Sequence, residues 1–295
     1  MTSFIALVKR LEVIMANRRW DLLSLINAYR QALLSWMNIR RWTLCCCIFV
    51  LMVLGFTRYQ VDQYSRSEYV ANLSLMGGHL AVGRELVESH LPILAAPHFG
   101  HPVKEHWHDV EKVVGRQRVL VSEDVLANVE SACGIELSND RQLPFRKALD
   151  CLHKLAANSP NAPTFNSLFQ AVDNKIKELL AEVPPEVALL GIKDVVNRTT
   201  KEYNASITRE NPDSQLKVVN NAIEYQDARG FIVYIQQLSQ FFEGQFNNLI
   251  LGDLIREMPL KYSLSKSQIV SEDEYKHVNN VLKSIATSIS KPLKN

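Results

Sequence analysis

The chain lacks the short motifs by which the commonest enzyme classes are identified. It has no Gly-x-Ser-x-Gly turn, no phosphate-binding Gly-Lys-Ser/Thr loop, no Gly-x-Gly-x-x-Gly, no Cys-x-x-Cys and no His-Glu-x-x-His. These absences exclude the simplest assignments to hydrolases, nucleotide-binding proteins, thiol oxidoreductases and zinc peptidases. Catalysis by another arrangement is not excluded, so the sequence leaves enzymatic activity uncertain and favours a non-enzymatic protein.

Signals for β-structure are almost as scarce. Residues 118–121 are the one strand-like run, which is too little for a sheet. Apolar residues recur instead at helical spacing over 165–183, from 231 to about 255, and over 275–289. Pro184 and Pro185 end the first of these helices, and Ser271 with Glu274 forms a capping box before the last. The pattern predicts an all-α fold with enough residues for a full hydrophobic core.

Only one long stretch, residues 42–57, is both apolar and uncharged. At ~1.5 Å per residue it is shorter than the ~30 Å hydrocarbon layer, but Arg40, Arg41 and Arg58 can extend their charged ends to the headgroups. It lies too far from the N-terminus, and lacks the small-residue cleavage site, for a signal peptide. We therefore predict a single transmembrane helix that acts as a signal-anchor; a buried core helix is the alternative.

Charge is distributed unevenly about this stretch. Residues 1–41 carry seven Lys/Arg and two acidic residues, whereas residues 59–295 carry 25 basic and 29 acidic residues. The positive-inside rule predicts a cytoplasmic N-terminus and a periplasmic C-terminal domain, with the protein in the cell inner membrane. The net charge of −4 over residues 59–295 gives no indication of nucleic-acid binding.

These features divide the chain into five predicted parts. Residues 1–41 form a cytoplasmic basic amphipathic segment, which lies on the inner leaflet, binds a partner helix or serves as a mitochondrial presequence. Residues 42–57 span the membrane, and residues 58–91 continue outward as a helical stalk that bends near Gly77 and Gly78. Residues 92–112 are a histidine-rich irregular segment, and residues 113–295 form the exported helical domain.

The five cysteines form two groups. Cys45, Cys46 and Cys47 fall within the predicted span, where they are apolar filler or sites of acylation. Cys133 and Cys151 fall in the exported domain, with 17 residues between them. A disulfide between these two would supply ~3 kcal/mol in an oxidising compartment. The sequence is equally compatible with two free thiols that are buried separately in helices.

Half of the eight histidines, His98, His101, His106 and His108, lie within eleven residues. Imidazole nitrogens are zinc ligands, so these four are the candidate metal site, although their spacing fits no known zinc motif. Two alternatives are a rigid surface loop with solvated or hydrogen-bonded histidines, and a contact that responds to pH. No other cofactor is predicted.

The layout predicts a structural or partner-recruiting component of a membrane assembly, such as a secretion or conjugation apparatus. The lipid bilayer and protein partners on both sides of the membrane would be its binding partners, and homo-oligomerisation is left open. The alternative is a membrane-tethered metal-binding protein or hydrolase that uses the segment from His98 to His108. Metal analysis and capture of partners distinguish these two classes.

Overall fold

A computed structural model describes residues 65–114, 120–121, 129, 132–135, 143–209, 217–239, 248–258 and 268–289. The predicted amphipathic segment, the predicted span with its three cysteines, and residues 58–64 lie outside these residues, so their roles stay predictions. Within the part described, no helix is long and apolar enough to cross a membrane. Helix accounts for 85% of the described residues, which agrees with the predicted fold class.

Nine α-helices, one π-helical turn and five short strands make up the described part of the chain. In chain order they are α1 (65–88), α2 (Pro92–His101), the π turn (Pro102–His106), α3 (Trp107–Val114), β1 (Leu120–Val121), β2 (Leu143–Pro144), α4 (Phe145–Asn158), α5 (Pro163–Ala181), α6 (Pro185–Ser206), β3 (Ile207–Arg209), β4 (Lys217–Val219), α7 (Ala222–Leu238), α8 (Asn248–Glu257), β5 (Gln268–Val270) and α9 (Glu272–Ile289).

Helix α1 is a central core helix rather than the predicted stalk. Its residues Val70, Leu73, Met76 and Leu80 are fully buried, and they pack with α2, α4 and α5 in a first hydrophobic cluster. Leu75 lies on another side of α1 and joins a second cluster, built mainly from α6 to α9. Protein covers α1 on both sides. Apolar residues therefore occupy positions that would be polar on an exposed stalk.

The predicted bend at Gly77 and Gly78 is also absent, because α1 is helical through both residues. These glycines allow α7 to approach closely instead. A Cβ at Gly78 would lie 2.9 Å from Cα of Phe231, and one at Gly77 would overlap the ring of Tyr234. Two helices can come this near only where one of them has no side chain at the crossing.

The histidine-rich segment is helical rather than irregular. His90 adopts φ 61°, and hydrogen bonds from the amides of His90 and Leu91 to the carbonyls of Val87 and Leu86 close α1. Pro92 then occupies the start of α2, where a missing N–H is tolerated. The prolines that suggested an irregular segment therefore begin a helix and a π turn.

Two small antiparallel sheets interrupt the helices. β1 pairs with β2, so the strand-like run at 118–121 does contribute a strand, and β3, β4 and β5 form a three-stranded sheet in that order. The other strands were not predicted, because each is only two or three residues long. Such lengths are too short to show an alternating pattern.

The other predicted helices are present with shifted ends. α5 ends at Ala181, and the two prolines after it begin α6. Ser271 Oγ accepts a hydrogen bond from the Glu274 amide at 3.1 Å, as the predicted cap requires. The apolar stretch from 231 to 255 is not one helix, since α7 ends at Leu238 and α8 begins at Asn248.

Cys133 and Cys151 are joined by a disulfide, with their Cα atoms 5.6 Å apart. Cys151 lies in α4 and is fully buried in the first hydrophobic cluster. The bridge therefore ties the chain before β2 to α4.

Candidate metal centre

Four histidines and one aspartate meet where α1, α2, the π turn and α7 come together. His79 comes from α1, His98 and His101 from α2, His106 from the π turn, and Asp227 from α7. Three of the four histidines predicted as ligands are therefore brought together. The fourth, His108, is exposed and outside the cluster.

The π turn places His106 beside the cluster. Residues five apart in an α-helix are rotated by about 140°, so His106 would face away from His101. The amide of Trp107 instead bonds to the carbonyl of Pro102, five residues earlier. This wider ring brings residues five apart close to the same side, and such turns are frequent at functional sites.

Asp227 lies at the centre of the cluster and is 3% exposed. Its Oδ1 atom is 2.6 Å from Nδ1 of His79 and 2.7 Å from Nδ1 of His98, and its Oδ2 atom is 3.2 Å from Nδ1 of His101. Three rings from two helices thus turn the same nitrogen toward one carboxylate. One ligand atom from each of these four residues lies within 4.8 Å of the others.

The opposite nitrogens face further hydrogen-bond partners. Nε2 of His98 lies 2.9 Å from Oε1 of Gln226, and Nε2 of His79 lies 3.1 Å from Nε2 of His106. The chain continues from Nδ1 of His106 to Oδ1 of Asn72, at 3.1 Å. If the outer nitrogens of His79 and His98 carry the protons, Nδ1 of each is left with a free lone pair directed into the cluster.

A metal ion would suit the inner nitrogens of the cluster. His98 is fully buried, and its two ring nitrogens lie against Oδ1 of Asp227 and Oε1 of Gln226. A cation at the inner nitrogens would lie beside the Asp227 carboxylate, and each ring could then stay neutral with its proton on the outer nitrogen.

The pKa shifts follow the same geometry. Burial raises the pKa of Asp227, but the charge of His79 and hydrogen bonds from His101, His79 and His98 outweigh it and hold that pKa well below its usual value. The hydrogen bond to Asp227 raises the pKa of His101. Burial, together with the charge of His79, lowers the pKa of His106 well below its usual value, which favours the neutral ring.

A cavity of about 170 Å³ opens beside the cluster. Its wall is formed by His79, His101, His106 and Asp227 from the cluster, and by Leu75, Glu105, Arg198, Glu202, Glu224 and Phe231. Glu202 is half-buried, and burial together with a hydrogen bond to Glu224 raises its pKa to about 8. The raised pKa favours the protonated form of the Glu202 carboxyl group at neutral pH, which can donate a hydrogen bond to Glu224.

A second grouping, of His79, Glu105 and His106, also brings three ligand atoms within 4.8 Å of one another. It is weaker because the Glu105 side chain is 51% exposed and its Oε2 atom lies 4.0 Å from Nε2 of both histidines. It would also need the nitrogen of His79 that faces His106. The better candidate for a metal centre is therefore the group of His79, His98, His101 and Asp227.

Sequence reasoning missed His79 and Asp227. His79 lies 19 residues before His98, and Asp227 lies 148 residues after His79. The one local signal for Asp227 is an acidic residue close to Tyr225, Phe231 and Tyr234 on a helix whose buried residues are mainly apolar. Such a residue needs a buried partner.

The fold and cluster define a class: a mainly helical protein with a buried centre of three histidines and one aspartate next to a small polar cavity. No family model matches the chain, and no curated protein or solved structure matches it.

Proposed function

We propose that the protein is a metal-dependent hydrolase that binds one divalent ion of the zinc class through His79, His98, His101 and Asp227. The observation that carries this proposal is the arrangement of outer partners. The far nitrogen of His98 lies 2.9 Å from Oε1 of Gln226, and that of His79 lies 3.1 Å from Nε2 of His106, so each can donate a hydrogen bond there. Metal-bound histidines usually donate their other N–H in this way, which fixes the ring and its tautomer.

The ligand set suits a transition metal better than calcium or magnesium. Three imidazole nitrogens and one carboxylate are typical of zinc and of nickel, iron or copper, whereas the harder ions prefer oxygen. The four ligand atoms lie within 4.8 Å of one another, so His79, His98, His101 and Asp227 would hold a single ion together.

Hydrolysis is supported by the adjoining cavity. His101 is the most exposed of the four ligands, at 18% of its side chain, and it lines the cavity with Asp227. An ion held by these four residues would supply an activated water at the cavity if it expanded to five ligands. The water oxygen would form the new bond to the substrate, the ester bond would break, and the water proton would pass to the leaving group.

The predicted role as a partner-recruiting membrane component concerns segments outside the described residues. It is compatible with a tethered enzyme and stays a prediction. The structure carries no observation that would favour it over hydrolysis.

Metal content of the full-length protein tests the proposal. After incubation with zinc and removal of excess ion, we expect about one equivalent in the wild type and in His108→Gln, whose side chain is exposed. Asp227→Asn and His98→Gln should lose most of it, and circular dichroism would verify that both variants fold. Zinc in neither wild type nor control would refute the metal centre.

The hydrolytic part has its own test. We expect slow cleavage of p-nitrophenyl esters by the zinc-, manganese- or iron-loaded wild type, and its loss in Asp227→Asn. A protein that binds metal but cleaves none of the phosphate, phosphodiester and acetate esters would restrict the function to metal binding.

A further inference from the structure

Arg198 makes no direct contact with a described carboxylate, although its charge acts on Asp194 and Asp109, and it lines a cavity whose other charged groups are acidic or belong to the cluster. It lies on α6 and lines the cavity with Glu202 and Glu224. Among the residues that the structure describes, its guanidinium group makes neither a hydrogen bond nor an ion pair. Arg84 and Arg229, by contrast, each pair with a glutamate.

The missing pair is informative because a partner is within reach. Glu202 follows Arg198 by four residues, a spacing at which opposite charges commonly pair on a helix. The Glu202 carboxyl group bonds to Glu224 instead. The guanidinium donors are thus left available in the cavity, where an unsatisfied arginine suits an anion.

The charges in the cavity are compatible with an anionic ligand once a metal ion is bound. A divalent ion exceeds the single negative charge of Asp227, and Arg198 adds a second positive charge. Protonation of Glu202 leaves one negative charge on the Glu202–Glu224 pair. Glu105, the remaining acid, is half-exposed to solvent and so is screened. The ion and Arg198 would then both border the cavity.

We infer that Arg198 and the ion form a two-point site for the phosphate group of a phosphate ester. This rests on the proposed metal centre. A phosphate group has three terminal oxygens, enough for one to bind the ion and two to accept from the guanidinium fork. A carboxylate has two, so it cannot make both contacts fully. A cavity of about 150 Å³ can hold benzene, and the 170 Å³ here admits a phosphate with a small substituent.

The test is calorimetric titration of the zinc-loaded, full-length protein with inorganic phosphate and, separately, with acetate. We expect phosphate to bind at least tenfold more tightly than acetate. Arg198→Met should weaken phosphate at least tenfold and Arg198→Lys less, because an ammonium group cannot form the fork. Arg209→Met, at an exposed arginine of β3, is the matched control and should bind phosphate normally.

Zinc content is measured in each sample, so the two proposals fail separately. If Arg198→Met keeps zinc and binds phosphate like the wild type, the inference is overturned and the metal centre stands. Equal binding of acetate and phosphate by the wild type would also overturn it. If the wild type takes up no zinc, both proposals are overturned.

Discussion

The two hydrophobic clusters contribute different kinds of side chain to the candidate site, which lies where the clusters meet. Elements of the first cluster carry imidazoles: His98 and His101 on α2, and His106 on the π turn. Helices of the second cluster, α6 and α7, carry Arg198, Glu202, Glu224 and Asp227. Helix α1 belongs to both and adds His79. Neither cluster has a complete ligand set, so the site exists only when the two are packed together.

The two sides also differ in burial. His98 and His106 are at most 5% exposed, as is Asp227, whereas Arg198 and Glu202 are partly exposed at the cavity. Buried ligands are held by packing and hydrogen bonds on every side. We infer that packing in both hydrophobic clusters fixes the four histidines and Asp227. A ligand would enter the cavity beside α6.

We expect the largest loss of stability when Asp227, which connects the two hydrophobic clusters through its contacts with the histidines, is replaced. Asp227→Ala removes the carboxylate that three histidines approach, leaving buried N–H groups without a partner. Breaking a buried charge pair from one side typically costs ~3–5 kcal/mol, so we expect a loss of that size in the free energy of unfolding. Denaturant unfolding would measure it. Asp253→Ala, at an exposed aspartate of α8, should change stability by well under 1 kcal/mol.

The disulfide concerns the first cluster alone. Reduction of the bond between Cys133 and Cys151 should lower the free energy of unfolding by ~3 kcal/mol, because the unfolded chain regains the freedom of an open loop. Denaturant unfolding with and without reductant would show it, and the double Cys→Ser variant should not respond to reductant. Two free thiols in native protein, found by mass spectrometry without reduction, would contradict the bridge.

The crossing of α1 and α7 tests how closely the two clusters must approach. In Gly230→Ala the new Cβ would overlap the Gly78 carbonyl oxygen and lie 2.9 Å from Cβ of Val82. Since backbone cannot move aside locally, we expect a loss of 1–3 kcal/mol, about the usual cost of overpacking. Gly83→Ala meets only the ring of Phe99 and should cost less. Equal thermal midpoints for both variants would show that the helices can separate without penalty.

The smallest effect concerns pH. Unfolded His106 gains a proton near pH 6.5, but burial and His79 hold its folded pKa well below that value. Stability should therefore fall as the pH drops through 6.5 toward the folded pKa, and His106→Gln should flatten this fall. The raised pKa of His101 acts oppositely: its stabilisation is complete below pH 6.5 and is lost as the pH rises through the folded pKa.

His101→Gln should thus steepen the fall in stability at acid pH, and the exposed His108→Gln should leave it unchanged. Thermal midpoints between pH 5 and 8, measured with a chelator, provide the comparison. Parallel profiles for all four proteins would show that neither buried ring contributes.

Local patterns were sufficient to predict the helical class, α5, the Ser271 cap and three of the clustered histidines. Each depends on residues close in sequence. Asp227 and His79 could not be paired from one sequence, because helical periodicity identifies a buried face without saying what covers it. The predicted stalk was wrong for the same reason: α1 has no polar face, and only the fold shows that protein covers it.

The π turn also has a genetic meaning. A π turn is an α-helical turn with one extra residue, and here the wider turn keeps His106 in line with His101 although the two are five residues apart. Deleting the exposed Lys104 would leave His101 and His106 four residues apart, a spacing that keeps both on one side of an ordinary α-helix. The π turn therefore lets this helix carry one additional codon without turning His106 away from His101.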